Sequence, residues 1–99
     1  MNIQSFSSLI NEDFVVRSEE DEKITFKLIE VDSLNAHRPK RSSTQARNEP
    51  FSLLFVGPSS PIFSQQVVPL NHSQLGDADI FLVPIGESDD GIEYEAVFT

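Results

Sequence analysis

The sequence predicts an all-β fold: a small antiparallel, partly closed barrel (or a sandwich) of about six strands with a short N-terminal helix. Three observations point there. Apolar residues fall in short alternating or two-faced runs, each bounded by Gly, Pro, Ser, Asn or Asp. No helical pattern long enough for a crossover lies between the runs, which excludes a parallel α/β sheet. The runs at 51–56 and 80–85 are apolar on both faces, and closing the sheet covers both sides of such strands.

The densest run is Phe51-Ser52-Leu53-Leu54-Phe55-Val56, opened by Pro50 and stopped by Gly57-Pro58. It reads as the central strand. Ahead of it, Ile3, Phe6, Leu9 and Ile10 are spaced for one or two helical turns with one apolar stripe. Such a helix is too short to stand alone and must dock on the core. Glu12–Arg17 reads as the first strand, and the acids of 18–22 as an exposed turn. Residues 23–31 alternate, with Ile24, Phe26 and Leu28 on one face, until the pattern slips at Ile29-Glu30-Val31. That slip reads as a bulge or a place covered on both faces.

Asp32 to Asn48 has no apolar periodicity, and its composition is that of a flexible loop. Beyond the central strand, Gly57–Pro61 reads as a turn, with Ile62 and Phe63 available to pack back on the core. Residues 65–70 read as a strand that Pro69, lacking a donor, assigns to an edge or a strand end. Residues 71–77 form a turn. Residues 79–85 and 92–98 form a hairpin through a polar 86–91 loop, whose glycines suit positive φ. Phe26, Leu28, Leu53, Phe55, Phe81, Val83, Tyr94 and Phe98 are the expected core.

With 99 residues the chain makes one domain over 1–99, with a flexible basic loop at 33–48. A chain of this size buries about 60–65% of its unfolded surface. Apolar residues make up only 38%, and eight phenylalanines compensate by their size. There is no cysteine, hence no disulfide framework and no thiolate metal site. The N-terminal stretch has no signal-peptide pattern, and no apolar run is long enough to span a bilayer, so the expectation is a soluble cytoplasmic protein.

The net charge is −9, from 16 acids and 7 bases, which opposes nucleic acid and anionic membranes. The distribution is bipolar. Arg38, Lys40, Arg41 and Arg47 lie in a stretch without acids, set on an acidic body. These four residues are the candidate partner-binding set, suited to docking on an acidic protein surface. The stretch lacks the interleaved aromatics of a nucleic-acid contact, which makes that reading an alternative.

No catalytic constellation, cofactor loop or metal motif is present. His37 and His72 are the only histidines, too few for a zinc site without distant carboxylates. Aligning Gly91 with the glycine of a calcium loop puts Gly86 and Val97 where acidic ligands belong, so that motif fails. Glu93 and Glu95 alternate with an apolar face, as on a solvated strand. The enzymatic alternative is a hydrolase-like site at a barrel mouth, using His72 with Asp77 or Asp79. Against it stands the reading of His72 as the organiser of its own turn.

Taken together, Pro50-Phe51-Ser52-Leu53-Leu54-Phe55-Val56-Gly57-Pro58, Gln65, His72, Leu75-Gly76, Phe81-Leu82-Val83-Pro84-Ile85-Gly86 and Tyr94-Glu95-Ala96-Val97-Phe98 resemble an uncharacterised family of small bacterial domains. The resemblance covers most of residues 12–98. It implies a domain of similar length, with no assigned activity, catalytic residue or cofactor. Members of that family are encoded near phage-tail-collar-like proteins, which implies a phage-related assembly or accessory role. The 33–48 stretch is longer and more basic than the family pattern. The functional expectation is therefore a non-enzymatic protein-binding or assembly module with a protein partner and no cofactor.

Overall fold

The structure is a computed structural model that describes residues 3–17, 24–34 and 50–98. Its elements are α1 (Ile3–Ser7), β1 (Asp13–Val16), β2 (Thr25–Ser33), β3 (Phe51–Gly57), β4 (Gln66–His72), β5 (Gly76–Ser88) and β6 (Gly91–Phe98). The six strands are all antiparallel and close a ring in the order β1-β2-β3-β6-β5-β4. The expected sandwich alternative is thereby resolved toward the barrel.

β3 is central, as its composition predicts. It pairs along its length with β6 on one side and with β2 on the other. Phe51, Leu53, Phe55 and Gly57 point inward, while Ser52, Leu54 and Val56 point outward. The slip at Ile29 is a bulge, with the β2–β3 register shifting between Leu28 and Glu30. Asp32 and Ser33, expected in the loop, continue β2 opposite Ser52 and Phe51. The ladder outlasts the apolar pattern because Asp32 faces water and needs no apolar partner.

Each open end of the ring is plugged by a phenylalanine from outside the strands. Phe6 of α1 contacts the rings of Phe14, Phe51 and Phe98. Asn11, at φ 76°, turns the chain from α1 into β1, and its amide donates to the Leu28 carbonyl. At the other end Phe63 packs edge-on against Phe26 and Tyr94. Phe14 and Phe26 each meet Phe55 edge-to-face, which joins the two clusters through the interior. Of the other residues expected to pack on the core from these two segments, Ile62 is exposed and Ile10 is at the surface.

Two glycines make this packing possible. A Cβ on Gly57 would lie 2.8 Å from the Phe26 ring and 3.3 Å from that of Tyr94. A Cβ on Gly91, whose φ is 143°, would collide with the Gly57 carbonyl oxygen. Gly91 therefore supplies the positive φ expected of the 86–91 loop. That loop is tighter than expected: β5 runs to Ser88, leaving Asp89 and Asp90 as the turn.

The β5 face differs from expectation. Phe81 is 48% exposed and Val83 only half-buried, whereas Ala78, Ile80 and Leu82 point inward. β4 decides the matter. Its inward Val68 and Leu70 stand opposite Ile80 and Ala78, and Phe81 stands opposite the exposed Val67. A strand apolar on both faces carries no alternation from which to choose a side. Phe98 is half-buried, stacked on Phe51 at 4.7 Å.

β4 is not an edge strand. It pairs with β5 and, over Leu70 and Asn71, with β1. The Pro69 carbonyl accepts from Arg17 N–H, so the missing Pro69 donor also faces β1, where pairing is short. The acids of 18–22 and nearly all of the basic loop lie outside the described residues.

Phe55 is fully buried and touches both aromatic clusters. Replacing it with alanine is expected to cost about 3–5 kcal/mol in chemical denaturation, from lost transfer energy plus a cavity. A loss under about 1 kcal/mol would contradict its place at the centre of the core.

Candidate functional site

Among the described residues, two places are candidates for a site. The first is His72, at the end of β4. Its side chain points inward beside the Phe14 ring and is 2% exposed. Nδ1 accepts hydrogen bonds from Gln74 N–H at 2.9 Å and Leu75 N–H at 3.2 Å. An acceptor Nδ1 places the proton on Nε2, which donates to Glu12 Oε1 at 2.7 Å. The ring thus ties the β4–β5 turn to the loop between α1 and β1.

The carboxylates expected to join His72 do not do so. Asp77 and Asp79 lie on the outer side of β5, where Arg17 reaches Asp79 at 2.6 Å and Asp77 at 3.6 Å. Asp77 also accepts from Asn71 Nδ2 at 2.7 Å. Strand alternation separates them: His72 shares the inward side of β4 with Leu70, while Asp77 and Asp79 flank the inward Ala78. Glu12, the carboxylate that meets His72, carries no sequence signal for the pairing, because 60 residues separate the two.

The second place is a groove of about 760 Å³ on the outside of the barrel. Val56 and Gly57 form its floor, with Lys27 on the β2 side and Glu93 on the β6 side. The Pro58–Pro61 turn makes one wall and the β5–β6 turn, through Ser88 and Asp90, makes another. The first wall is held by a bond from Phe63 N–H to the buried Tyr94 hydroxyl at 2.8 Å. The second is held by Ser88 Oγ, which accepts from Asp90 N–H and donates to the Gly91 carbonyl.

The groove opens onto a patterned face. Register places Lys27, Val56 and Glu93 in one row across β2, β3 and β6. The next row is Glu30, Leu54 and Glu95, and beyond it lie Asp32, Ser52 and Val97. Glu93 and Glu95 alternate as expected of a solvated strand, but both are only half-exposed. Sequence reasoning did not single out this face, because the rows form only when three strands are brought into register.

Arg38, Lys40, Arg41 and Arg47 lie outside the described residues, so their expected partner-binding role has no geometry here. Among the described residues the basic side chains are Arg17 and Lys27. Among them, too, no helix is long and apolar enough to cross a membrane.

Fold and site together define a small antiparallel β-barrel domain with an aromatic interior and a patterned outer face. The chain belongs to the family described as a domain of unknown function (DUF6916), which matches residues 1–98. The resemblance to an uncharacterised family is borne out at that level. No curated protein and no solved structure matches the chain.

Two outcomes check the site's supports. Tyr94→Phe leaves the Phe63 amide without its acceptor and should cost about 1–2 kcal/mol. The Phe63 amide should then exchange faster in hydrogen-exchange NMR while the β3 amides stay protected. At His72, asparagine offers Oδ1 where the imidazole offers Nδ1. His72→Asn should therefore keep the Gln74 and Leu75 amides protected, whereas His72→Ala should lose that protection and a further 1–3 kcal/mol or so.

Proposed function

We propose that this domain is a non-enzymatic protein-binding module that serves assembly through its outer face. The observation that carries the reading is the groove on β2, β3 and β6, an apolar floor edged by charged side chains and walled by two anchored turns. Grooves of this composition suit recognition of a chain segment by side-chain contact. The interior offers less, because ring packing fills it. The resemblance to domains encoded beside phage-tail-collar-like proteins supports an accessory role in such an assembly.

The hydrolase reading has one observation in its favour, the 2.7 Å contact between His72 and Glu12. A general base needs a free lone pair on its ring, and Nδ1 here already accepts two backbone amides. The imidazole is better described as a strut between two turns.

The test uses the full chain and its His72→Asn variant, each fixed to a support and exposed to lysate of the source cell. It is paired with a turnover screen on ester, amide, phosphate and glycoside reporters. The expected result is one partner held in stoichiometric amount by both forms, with no turnover above background. Turnover that disappears with His72→Asn, in the absence of a retained partner, would overturn the module reading.

A further inference from the structure

The outer face of β2, β3 and β6 has more definition than a generic surface. Ser52, Leu54 and Val56 of β3 run along its middle, and the last two are half-buried apolar side chains. On the β2 flank stand Glu30 and Asp32, and on the β6 flank stand Glu93 and Glu95. Adjacent strands lie about 4.8 Å apart, so the two carboxylate rows are separated by roughly 10 Å. That is close to the diameter of an α-helix with its side chains, about 10–12 Å. At one end the strip runs into the groove between the Pro58–Pro61 turn and the β5–β6 turn.

We infer that this face binds a cationic amphipathic helix, an apolar stripe flanked by Lys or Arg, supplied by another protein. The inference rests on the protein-binding reading and names the partner's chemistry. Apolar side chains of the helix cover Leu54 and Val56, and its cations meet Glu30 and Asp32 on one flank and Glu93 and Glu95 on the other. Burial of the stripe supplies affinity, and the flanking charges fix register and orientation. Lys27, in the row with Val56 and Glu93, breaks the acidic pattern at the groove end. It gives the face a direction, because the Lys27 row offers the helix's cations a carboxylate on the β6 flank alone, through Glu93, whereas the next row offers Glu30 on one flank and Glu95 on the other. Charge complementarity selects this occupant over nucleic acid or an anionic membrane, whose phosphates the carboxylate rows repel. Val67 and Phe81, an exposed apolar pair on β4 and β5, have no comparable charged frame.

The probe is a synthetic peptide of about four helical turns, with a leucine stripe flanked by lysines, titrated against the full chain at near-physiological salt. Binding is read by calorimetry and by amide shifts in NMR. In the wild-type chain, shifts should concentrate at residues 52–56 and 93–95 and spare Val67 and Phe81. The double variant Glu93→Lys with Glu95→Lys should weaken binding about tenfold or more, and Leu54→Asp should weaken it similarly. The control double variant Asp77→Lys with Asp79→Lys makes the same charge change on the outer side of β5, opposite β4, and should alter affinity less than about twofold. Equal weakening by both double variants would mean diffuse attraction to an acidic protein and would overturn the inference. So would shifts centred on Val67 and Phe81, or no binding. The wild-type shift map decides the matter even where a variant fails to fold. The broader reading has its own outcome. A cellular partner retained by the Glu93→Lys, Glu95→Lys form but lost on Phe81→Ser would sink the helix-binding face and leave the module standing.

Discussion

The narrowness of a six-stranded ring is the constraint on which the rest of this structure depends. Such a ring encloses a slender interior that side chains must fill, since a void forfeits dispersion contacts on every wall. Here rings do the filling. Phe14, Phe26 and Phe55 meet edge-to-face through the middle, and Phe6 and Phe63 close the ends. Edge-to-face contact lets planar groups turn corners inside a small cylinder, and each such pair contributes beyond its buried area. This explains how a chain with only 38% apolar residues builds a continuous core.

The same constraint explains the glycines and the plugs. Where Phe26 and Tyr94 crowd the wall, β3 has no room for a Cβ, and Gly57 occupies that position. Gly91 in turn sits against the Gly57 carbonyl, so the two glycines form one close approach between β3 and β6. Phe63 belongs to an irregular segment, yet the Tyr94 hydroxyl holds its amide in place. One tyrosine therefore links core packing to the wall of the external groove. His72 has an equivalent part elsewhere, joining the β4–β5 turn to the α1–β1 loop through both ring nitrogens.

Aromatic packing of the interior is why the proposed binding face is an outer one. In a wider barrel the lumen can hold a ligand, but ring packing leaves this one for structure. The outward residues of β2, β3 and β6 then become the informative set. Their pattern of an apolar middle and carboxylate flanks is a property of three strands in register, each of which looks ordinary alone.

Much of the architecture was legible in the chain itself. Short runs bounded by turn residues announced the strands, the β3 run announced its central place, and the slip at Ile29 announced the bulge. These are local signals, set by alternation and by the backbone limits of Gly and Pro. The sequence by itself also determined that histidine acid–base candidates are few, since His37 and His72 are its only histidines. What local patterning cannot carry is the choice between two apolar faces. The inward side of β5 was settled by the β4 register, which put Ile80 inside and Phe81 outside. Ring closure likewise set Pro69 beside Arg17, just past β1, because pairing both sides of β4 depends on chain segments more than fifty residues apart. The partner of His72 and the carboxylate rows beside Leu54 arise in the same way. Side-chain neighbours across strands are fixed by register, and register is a property of the closed ring rather than of any one strand.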